Sequence, residues 1–374
     1  MKFVVSSTAL QSHLQAINKV INSKNTIPIL DSFLFELAGN TLKMTASDGE
    51  TTLVTSMEVT NVSGSGKFAV SAKLLLDPLK EFPEQPLTFD INDDNIEIFI
   101  YFQNGKCNFI GQKGEEYPQM PELKDNATSL SMSVSDLLNG INLTLFATAD
   151  DELRPVMNGI YIDISPDDVT FVATNGHKLV RFKEMALKGN EASSFIFPKK
   201  PATLLRNILP KESGEAKISF DDKNAVVLVA NYKMVCRLVE GKFPNYNSVI
   251  PTGNAHKITI DRMSFMTALK RVSVFANQGT CLVKLQIIEN NIMLTAQDID
   301  FSTSAEETVP CQYDGEGLII GFKADFFIDL LYNLPASDIV IELSDPSRAG
   351  IIYPLENEEN EDLLMLLMPM MLSE

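Results

Sequence analysis

The chain has 374 residues, of which 45% are hydrophobic and 21% are charged, a composition typical of a folded protein with two or three domains. Its formal net charge of −18, taken alone, argues against binding a polyanion. No stretch reaches the roughly 20 apolar residues that a membrane-spanning helix needs. The opening MKFVVSSTAL also lacks the apolar core of a signal peptide.

The four cysteines stand far apart in sequence, at Cys107, Cys236, Cys281 and Cys311. Their spacing matches neither a zinc-ligand pair nor a redox pair. We therefore expect reduced thiols in a cytoplasmic protein, with no metal and no other cofactor.

A strand–turn–strand pattern recurs three times along the chain. It reads TLKMTASDGETTLV at 41–54, VTFVATNGHKLVRF at 169–182 and IMLTAQDIDFSTSA at 292–305. The turn residues Asp48, Asn175 and Asp298 are 127 and 123 residues apart. A helix that ends at a proline recurs with nearly the same period, at Pro83, Pro210 and Pro335. Two landmarks with one period indicate three copies of one domain.

Each copy opens with a short strand followed by an amphipathic helix. The apolar stripes of these helices are spaced by three and four residues, as on one face of a helix. They comprise Leu10, Leu14, Ile17 and Ile21; Val134, Leu138, Ile141 and Leu145; and Phe265, Leu269, Val272 and Ala276. We expect Ser7 and Asp261 to be N-caps, and Pro78 to kink or shorten the second helix of the first copy.

Strand-like runs such as SFLFEL, GIYIDI and LVKLQII fill the rest of each copy. β-Branched and alternating runs separated by Asn, Asp and Gly are typical of antiparallel strands. The predicted fold is therefore α+β, with three tandem domains. Each domain has two helices packed on antiparallel sheets and contains about eight strands in total. We place these domains at residues 1–127, 128–252 and 253–374.

His177 raises the alternative of an enzyme, in which it would act as a general base with Asp150 or Asp151. Glu50 and Asp300 occupy the equivalent turn positions of the other copies, and no phosphate loop or nucleophile elbow is present. The Asn175–Gly176 pair itself indicates a tight turn. A secreted adhesion or carbohydrate-binding repeat protein is a third possibility, which the absence of a signal peptide and the dispersed cysteines disfavour.

Positive charge concentrates in the predicted helices. The six helical windows together carry +5, which leaves −23 on the rest of the chain. If the helices line one surface and the strands another, one surface is mildly basic and the other strongly acidic. A mildly basic surface can contact a phosphate backbone without binding it tightly.

The chain resembles the bacterial DNA polymerase III beta subunit family, the beta sliding clamps. The resemblance lies in MKFVV at the start, TIPIL at 26–30, MNGIYI at 157–162 and VATNGHKL at 172–179. It continues in LVEGKFPNYNSVIP at 238–251, IGF at 320–322 and LMPMML at 367–372. It implies a ring-shaped head-to-tail homodimer that encircles double-stranded DNA, with helices facing the hole, and that acts as a non-catalytic processivity factor.

The resemblance also implies a hydrophobic peptide-binding groove between the second and third domains. Carried over by motif, its residues are Met157, Thr174, Gly176, His177, Lys178, Leu179, Pro244, Val249, Phe326, Leu366, Met368, Pro369, Met370 and Leu372. Family peptides combine a glutamine with leucine and phenylalanine. Met371 and Ser248 stand where family members commonly have arginine, so we expect a less basic groove with an altered preference.

The remaining implied surfaces face DNA and the second copy of the chain. The DNA-facing residues would be Lys24, Lys73, Lys199, Lys200, Arg206, Lys270 and Arg271. The dimer contact would join Lys106, Cys107 and Phe109 to Val274 and Phe275 of the other copy. The implied protein partners are the DNA polymerase III alpha subunit, the clamp loader and other proteins with clamp-binding motifs. No membrane partner is expected, and the implied location is the bacterial cytoplasm, in association with the nucleoid.

Overall fold

The computed structural model describes residues 1–22 and 25–372. These residues contain three pairs of α-helices. The pairs are α1 (Ser7–Asn18) with α2 (Ala72–Glu81), α3 (Val134–Thr144) with α4 (Lys199–Ile208), and α5 (Arg262–Ser273) with α6 (Ala324–Asn333). The predicted apolar stripes lie on the first helix of each pair, and Leu10, Leu14 and Ile17 are fully buried. Ile21, Leu145 and Ala276 lie beyond the ends of their helices.

Strands flank these helices in a common order, to which the first copy adds β5 and β10. The first copy contains β1 (Lys2–Ser6), β2 (Ser32–Ala38), β3 (Thr41–Ser47), β4 (Thr51–Glu58), β5 (Thr60–Ser63), β6 (Gly66–Ser71), β7 (Pro86–Ile91), β8 (Glu97–Phe102), β9 (Gly105–Ile110) and β10 (Gln112–Lys113). The second contains β11 (Thr128–Ser133), β12 (Gly159–Ile164), β13 (Val169–Thr174), β14 (Lys178–Glu184), β15 (Ser193–Pro198), β16 (Glu215–Phe220), β17 (Asn224–Val229) and β18 (Tyr232–Arg237). The third contains β19 (His256–Asp261), β20 (Leu282–Ile288), β21 (Asn291–Asp298), β22 (Thr303–Pro310), β23 (Leu318–Lys323), β24 (Asp338–Leu343), β25 (Gly350–Pro354) and β26 (Glu361–Leu367). The α+β fold of three repeats is thus confirmed.

The described chain forms two compact units that cut across the repeats, residues 1–138 with 203–238 and residues 139–202 with 239–374. The first unit holds a five-stranded sheet, β5-β1-β7-β8-β9, and a nine-stranded sheet, β10-β6-β2-β3-β4-β18-β17-β16-β11. The second unit holds an eight-stranded sheet, β15-β12-β13-β14-β26-β25-β24-β19, and a four-stranded sheet, β22-β21-β20-β23. Strands of the second repeat therefore extend the sheets of both its sequence neighbours, through β4–β18 and β14–β26.

Burial along the strands follows from their positions in these sheets. All six residues of β13, in the interior of the eight-stranded sheet, are buried. Edge strands β9 and β22 alternate between exposed and half-buried residues over most of their length. Unpaired backbone N–H and C=O groups at such edges can pair with another chain.

The helix starts partly match the predicted caps. Asp261 caps α5 as predicted, because its carboxylate accepts a hydrogen bond from the Ser264 amide at 2.7 Å. The prediction for Ser7 is wrong by one residue: Ser6 is the N-cap and accepts a bond from the Ala9 amide at 3.2 Å. Ser7 is instead a buried first helical residue whose hydroxyl donates to the Pro83 carbonyl oxygen. Pro78 lies within α2, which still extends over ten residues.

The three repeated turns share one hydrogen-bond pattern. Asp48 Oδ1 accepts bonds from the amides of Glu50 and Thr51, at 2.9 and 2.7 Å. Asn175 Oδ1 accepts from the amides two and three residues later, both at 2.9 Å. Asp298 Oδ1 does the same at 2.9 and 3.2 Å. These Asx turns show why a short acid or amide recurs at this position.

Candidate functional site

The predicted groove residues all belong to the second compact unit. They come from the Asn175 turn and the start of β14, from the connector at residues 238–255, from α6, and from the end of the chain. In the sheet, β14 pairs with β26 so that Leu179 lies opposite Leu366. The groove candidates therefore lie where two strands from different repeats join.

The segment after β26 is fixed by two backbone hydrogen bonds. The Met368 amide donates to the His177 carbonyl oxygen, and the Met370 amide donates to the Gly321 carbonyl oxygen, both at 2.8 Å. The strand ends at Leu367, and the Met-Pro-Met residues continue outside it. Met368 is exposed, while Pro369, Met370 and Leu372 are half-buried. Together these residues form an apolar wall. The Met368 and Met370 side chains are flexible and polarizable, so this wall can adapt its shape.

A hydrophobic cluster contains the two buried leucines of the predicted groove set. Leu179 and Leu366 are each 3% exposed and pack with Val172, Phe243 and Tyr246. The Phe243 ring stacks on Tyr161, with ring centroids 4.7 Å apart. The connector residues next to this aromatic anchor remain accessible: Pro244 is exposed, and 53% of Val249 is exposed.

Phe326, at the start of α6, is surrounded by cationic and aromatic groups. Lys323 Nζ lies 4.9 Å and Lys178 Nζ lies 5.7 Å from its ring centroid. The His177 ring stacks on it with centroids 5.7 Å apart. Lys178 is only 5% exposed, and its ammonium forms an ion pair with Asp329. Phe326 and Lys178 thus tie the Asn175 turn to α6.

The geometry of the turn explains why Gly176 follows Asn175. Gly176 has φ +87°, and a Cβ there would lie 2.8 Å from Arg154 Nη1. Glycine is favoured here by the left-handed backbone, whereas the added Cβ would displace only the flexible end of the Arg154 side chain. His177 is exposed and contacts Phe326 through its ring, as expected of a contact residue at the edge of a groove.

The structure brings seven of the predicted groove residues into direct contact with one another: Thr174, His177, Lys178, Leu179, Phe326, Leu366 and Met368. Met157 ends a short 3₁₀ helix and is half-buried. Sequence reasoning missed Gly321, Lys323 and Asp329, and also Arg154 and Phe146, whose ring lies 4.9 Å from Lys178 Nζ. Only Gly321 had a sequence signal, because it lies within the IGF motif.

Comparisons with known proteins account for almost the whole chain. Residues 1–121, 131–245 and 247–371 match the N-terminal, central and C-terminal domains of the DNA polymerase III beta subunit. The chain belongs to the DNA polymerase III beta subunit family. The beta sliding clamp of Synechococcus elongatus is 29% identical over 364 residues, which cover 95% of this chain and 96% of that protein.

Solved structures of this family show the same fold. A sliding clamp from Bartonella birtlesii, bound to griselimycin, is 26% identical with a TM-score of 0.92, and each chain is fully covered. A Pseudomonas aeruginosa clamp, also bound to griselimycin, has a TM-score of 0.94 at 24% identity, again over both complete chains. The chain is thus a sliding-clamp subunit that acts as a DNA polymerase processivity factor. Family membership gives no support to the enzyme alternative.

The clamp's predicted DNA-facing residues lie on or beside its helices. Lys73 lies in the first turn of α2, Lys199 and Lys200 begin α4, and Arg206 lies in its last turn. Lys270 and Arg271 lie in the last turn of α5. Lys24 lies outside the described residues.

Lys199 and Arg271 each have a carboxylate partner among the described residues. Lys199 Nζ lies 2.5 Å from Asp150 Oδ2. Arg271 binds both carboxylate oxygens of Glu307, at 2.5 and 3.0 Å, and this bond lowers the pKa of the Glu307 carboxyl. A phosphate that contacts either cation must compete with this partner, so the two contribute less to DNA attraction than formal charge suggests.

The predicted dimer residues lie on an edge strand of the first unit and directly after a helix of the second. Lys106, Cys107 and Phe109 belong to β9, the edge of the five-stranded sheet. Val274 is 78% exposed and Phe275 is 41% exposed, directly after α5. No helix among residues 1–22 and 25–372 is both long enough and apolar enough to cross a membrane.

Proposed function

We propose that two copies of this clamp subunit close head to tail into a ring around double-stranded DNA. The ring slides freely and tethers the DNA polymerase III alpha subunit, the clamp loader and other proteins that carry clamp-binding motifs. The observation that carries this proposal is the match of three successive clamp-domain models to residues 1–371 with short gaps. We propose that the three clamp domains span residues 1–127, 128–252 and 253–374.

The strand topology supports the head-to-tail contact. Strand β4 of the first repeat pairs with β18, the last strand of the second repeat. Strand β14, which occupies the equivalent position in the second repeat, pairs with β26, the last strand of the third repeat. By the same rule β22 pairs with β9 of another copy, and both are edge strands. A heterologous contact that repeats in this way closes a ring when the rotation allows it.

The two observed junctions have the same register, which carries over to the third. Val54 lies opposite Lys233 and Arg181 opposite Leu364 at equivalent positions. The equivalent residues in the free edges are Glu306 and Lys106, so we propose that they lie opposite each other across the dimer contact. Ala305 then faces Cys107, and Thr303 faces Phe109. The opposite charges of Glu306 and Lys106 favour this pairing of the two strands.

The DNA-facing role is proposed for Lys24, Lys73, Lys199, Lys200, Arg206, Lys270 and Arg271. We expect Lys199→Glu with Lys200→Glu to slow loading onto DNA several-fold, because each lost cation weakens attraction to phosphate. Peptide affinity should stay at the wild-type value. Loading kinetics on primed circular DNA and peptide titration measure the two properties. Equal loss of both would indicate misfolding and contradict the assignment.

The groove is proposed to bind peptides that combine glutamine, leucine and phenylalanine. An exposed apolar wall of methionines over a rigid aromatic cluster suits several different guests. Lys323 and Arg154 supply cations near the wall, although Met371 and Ser248 replace common family arginines. We propose that the clamp itself is non-catalytic, needs no cofactor and works in the bacterial cytoplasm near the nucleoid.

Topological retention tests the function directly. We expect the clamp, once loaded, to remain on nicked circular DNA for many minutes and to leave the same DNA within seconds after linearisation. A protein held only by phosphate contacts would leave both forms at the same rate and would dissociate at high salt. Gel filtration of labelled clamp on the two DNA forms at ~0.5 M salt, where such contacts are weak, separates these outcomes.

A further inference from the structure

A cleft of about 760 Å³ lies on one face of the nine-stranded sheet in the first unit. The connector at residues 114–127 joins β10 and β11, which are opposite edges of this sheet, and so it crosses the sheet face. It is anchored at one end by buried Tyr117 and at the other by Lys124, whose ammonium lies 2.6 Å from Asp222. Pro118–Leu123 lie between these anchors and line the cleft.

The floor of the cleft holds two unusual polar features. Glu36 lies 2.6 Å from both Lys43 Nζ and Lys67 Nζ, on neighbouring strands. Thr45 is 2% exposed and lines the cleft, and its hydroxyl oxygen has no hydrogen-bond partner within the described chain. A buried hydroxyl without a partner is costly and is usually satisfied by a ligand or by water.

The second unit contains the same arrangement with the corresponding space filled. In the first unit, Leu34 lies opposite Thr45 on one neighbouring strand and opposite Ala69 on the other. In the second unit, Tyr161 lies opposite Val172 and Ile196 in the same way. This register makes Glu36 equivalent to Asp163 and Thr45 equivalent to Val172. The two connectors also correspond, since Tyr117-Pro118-Gln119-Met120 aligns with Phe243-Pro244-Asn245-Tyr246.

Tyr246 shows what fills this position in the second unit. Its ring is buried, 6.1 Å from the Tyr161 ring centroid, and its hydroxyl donates to Asp163 Oδ2 at 3.1 Å. Burial and the neighbouring Asp163 raise the pKa of Tyr246 to about 12, so it remains a donor. The first unit has Met120 at the aligned position, and no hydroxyl-bearing ring bonds Glu36 among the described residues.

We propose that this cleft binds the tyrosine side chain of a partner peptide, whose hydroxyl donates to Glu36. The ring takes the position that Tyr246 occupies in the second unit, beside Leu34 and Met120. The peptide backbone satisfies the buried Thr45 hydroxyl. Burial opposes ionisation of Glu36, but the Lys43 and Lys67 ammonium groups together outweigh it and lower the pKa of the carboxyl, so Glu36 stays an acceptor. This is a second binding site, separate in the chain from the groove at the Asn175 turn.

The probe for this site is N-acetyltyrosine amide, with N-acetylphenylalanine amide as its matched control. We expect the tyrosine probe to shift the methyl resonances of Leu34 and Leu123 with Kd on the order of a millimolar, as befits so small a ligand. The phenylalanine probe should bind about fivefold more weakly, because it leaves Glu36 without the added donor. Absence of saturable shifts, or equal affinity for both probes, would overturn the proposal.

The variant Met120→Tyr supplies the ring from the chain itself, as in the second unit. We expect it to abolish the tyrosine-probe shifts at Leu34 and to raise Tm by a few degrees, since it fills the cleft. Probe binding at wild-type affinity in this variant would place the ligand elsewhere and refute the site. Titration of a groove peptide against both proteins should give one affinity, which separates failure here from failure of the proposed groove.

Discussion

Replacing Ala305 with cysteine should produce a covalent dimer through the native Cys107 of a second copy. In the proposed register these residues face each other on adjacent antiparallel strands, where Cα atoms lie about 4.5–5.5 Å apart. Disulfides span about 4.4–6.8 Å between Cα atoms. Burial raises the pKa of the Cys107 thiol, so oxidation with diamide at mildly alkaline pH favours the reactive thiolate. Non-reducing gels should show nearly complete conversion to dimer.

Neighbouring positions make this test specific to the register. Thr303→Cys and Glu307→Cys lie on the same side of β22, two residues away in each direction, where distances of about 7–8 Å disfavour a disulfide. Ser304→Cys faces the opposite side and should not react. Cys281 and Cys311 are replaced with serine throughout, because both are only partly buried. Faster reaction at 303 or 307 would show a slipped register. Light scattering that finds only monomer at micromolar concentration would refute the dimer itself.

The repeat was predictable from sequence because each copy carries its own local signals. The Asp48, Asn175 and Asp298 turns depend on a side chain bonding amides two and three residues later, which the sequence pattern expresses directly. Helix stripes are equally local. The Ser7 prediction failed by one residue, since Ser6 and Ser7 are chemically alike and only the preceding strand decides which one precedes the first turn.

The joining of strands from different repeats could not be predicted from the sequence. Pairing of β4 with β18 joins residues about 180 positions apart, and no local pattern specifies such a partner. Lys178 belongs to the same class: a lysine after a turn is usually exposed, yet Asp329, Phe146 and Phe326 enclose it. The motif placed Lys178 in the proposed groove, but only the fold shows that its side chain is buried and paired with Asp329.

The terminal wall of the groove can be displaced without changing a residue of the proposed groove set. A Cβ at Gly321 would lie 2.7 Å from Leu372 Cδ2, 2.9 Å from Leu282 Cδ1 and 3.0 Å from the Met370 carbonyl oxygen. Leu282 belongs to β20 within the sheet, whereas Leu372 lies near the chain end, so the terminal segment should shift. We expect Gly321→Ala to weaken binding of a glutamine-leucine-phenylalanine peptide about tenfold from a roughly micromolar Kd, or about −8 kcal/mol in wild type.

Gly317→Ala is the matched control for this substitution. A Cβ there meets only the Ile287 carbonyl oxygen, at 3.6 Å, an ordinary contact. Fluorescence anisotropy gives the peptide affinity, and His177 resonances report whether the shift occurs at the groove, because its carbonyl holds Met368. Wild-type affinity in Gly321→Ala would mean that the Met370–Leu372 wall does not contact the peptide. Equal weakening in both variants would point to general loosening of β23.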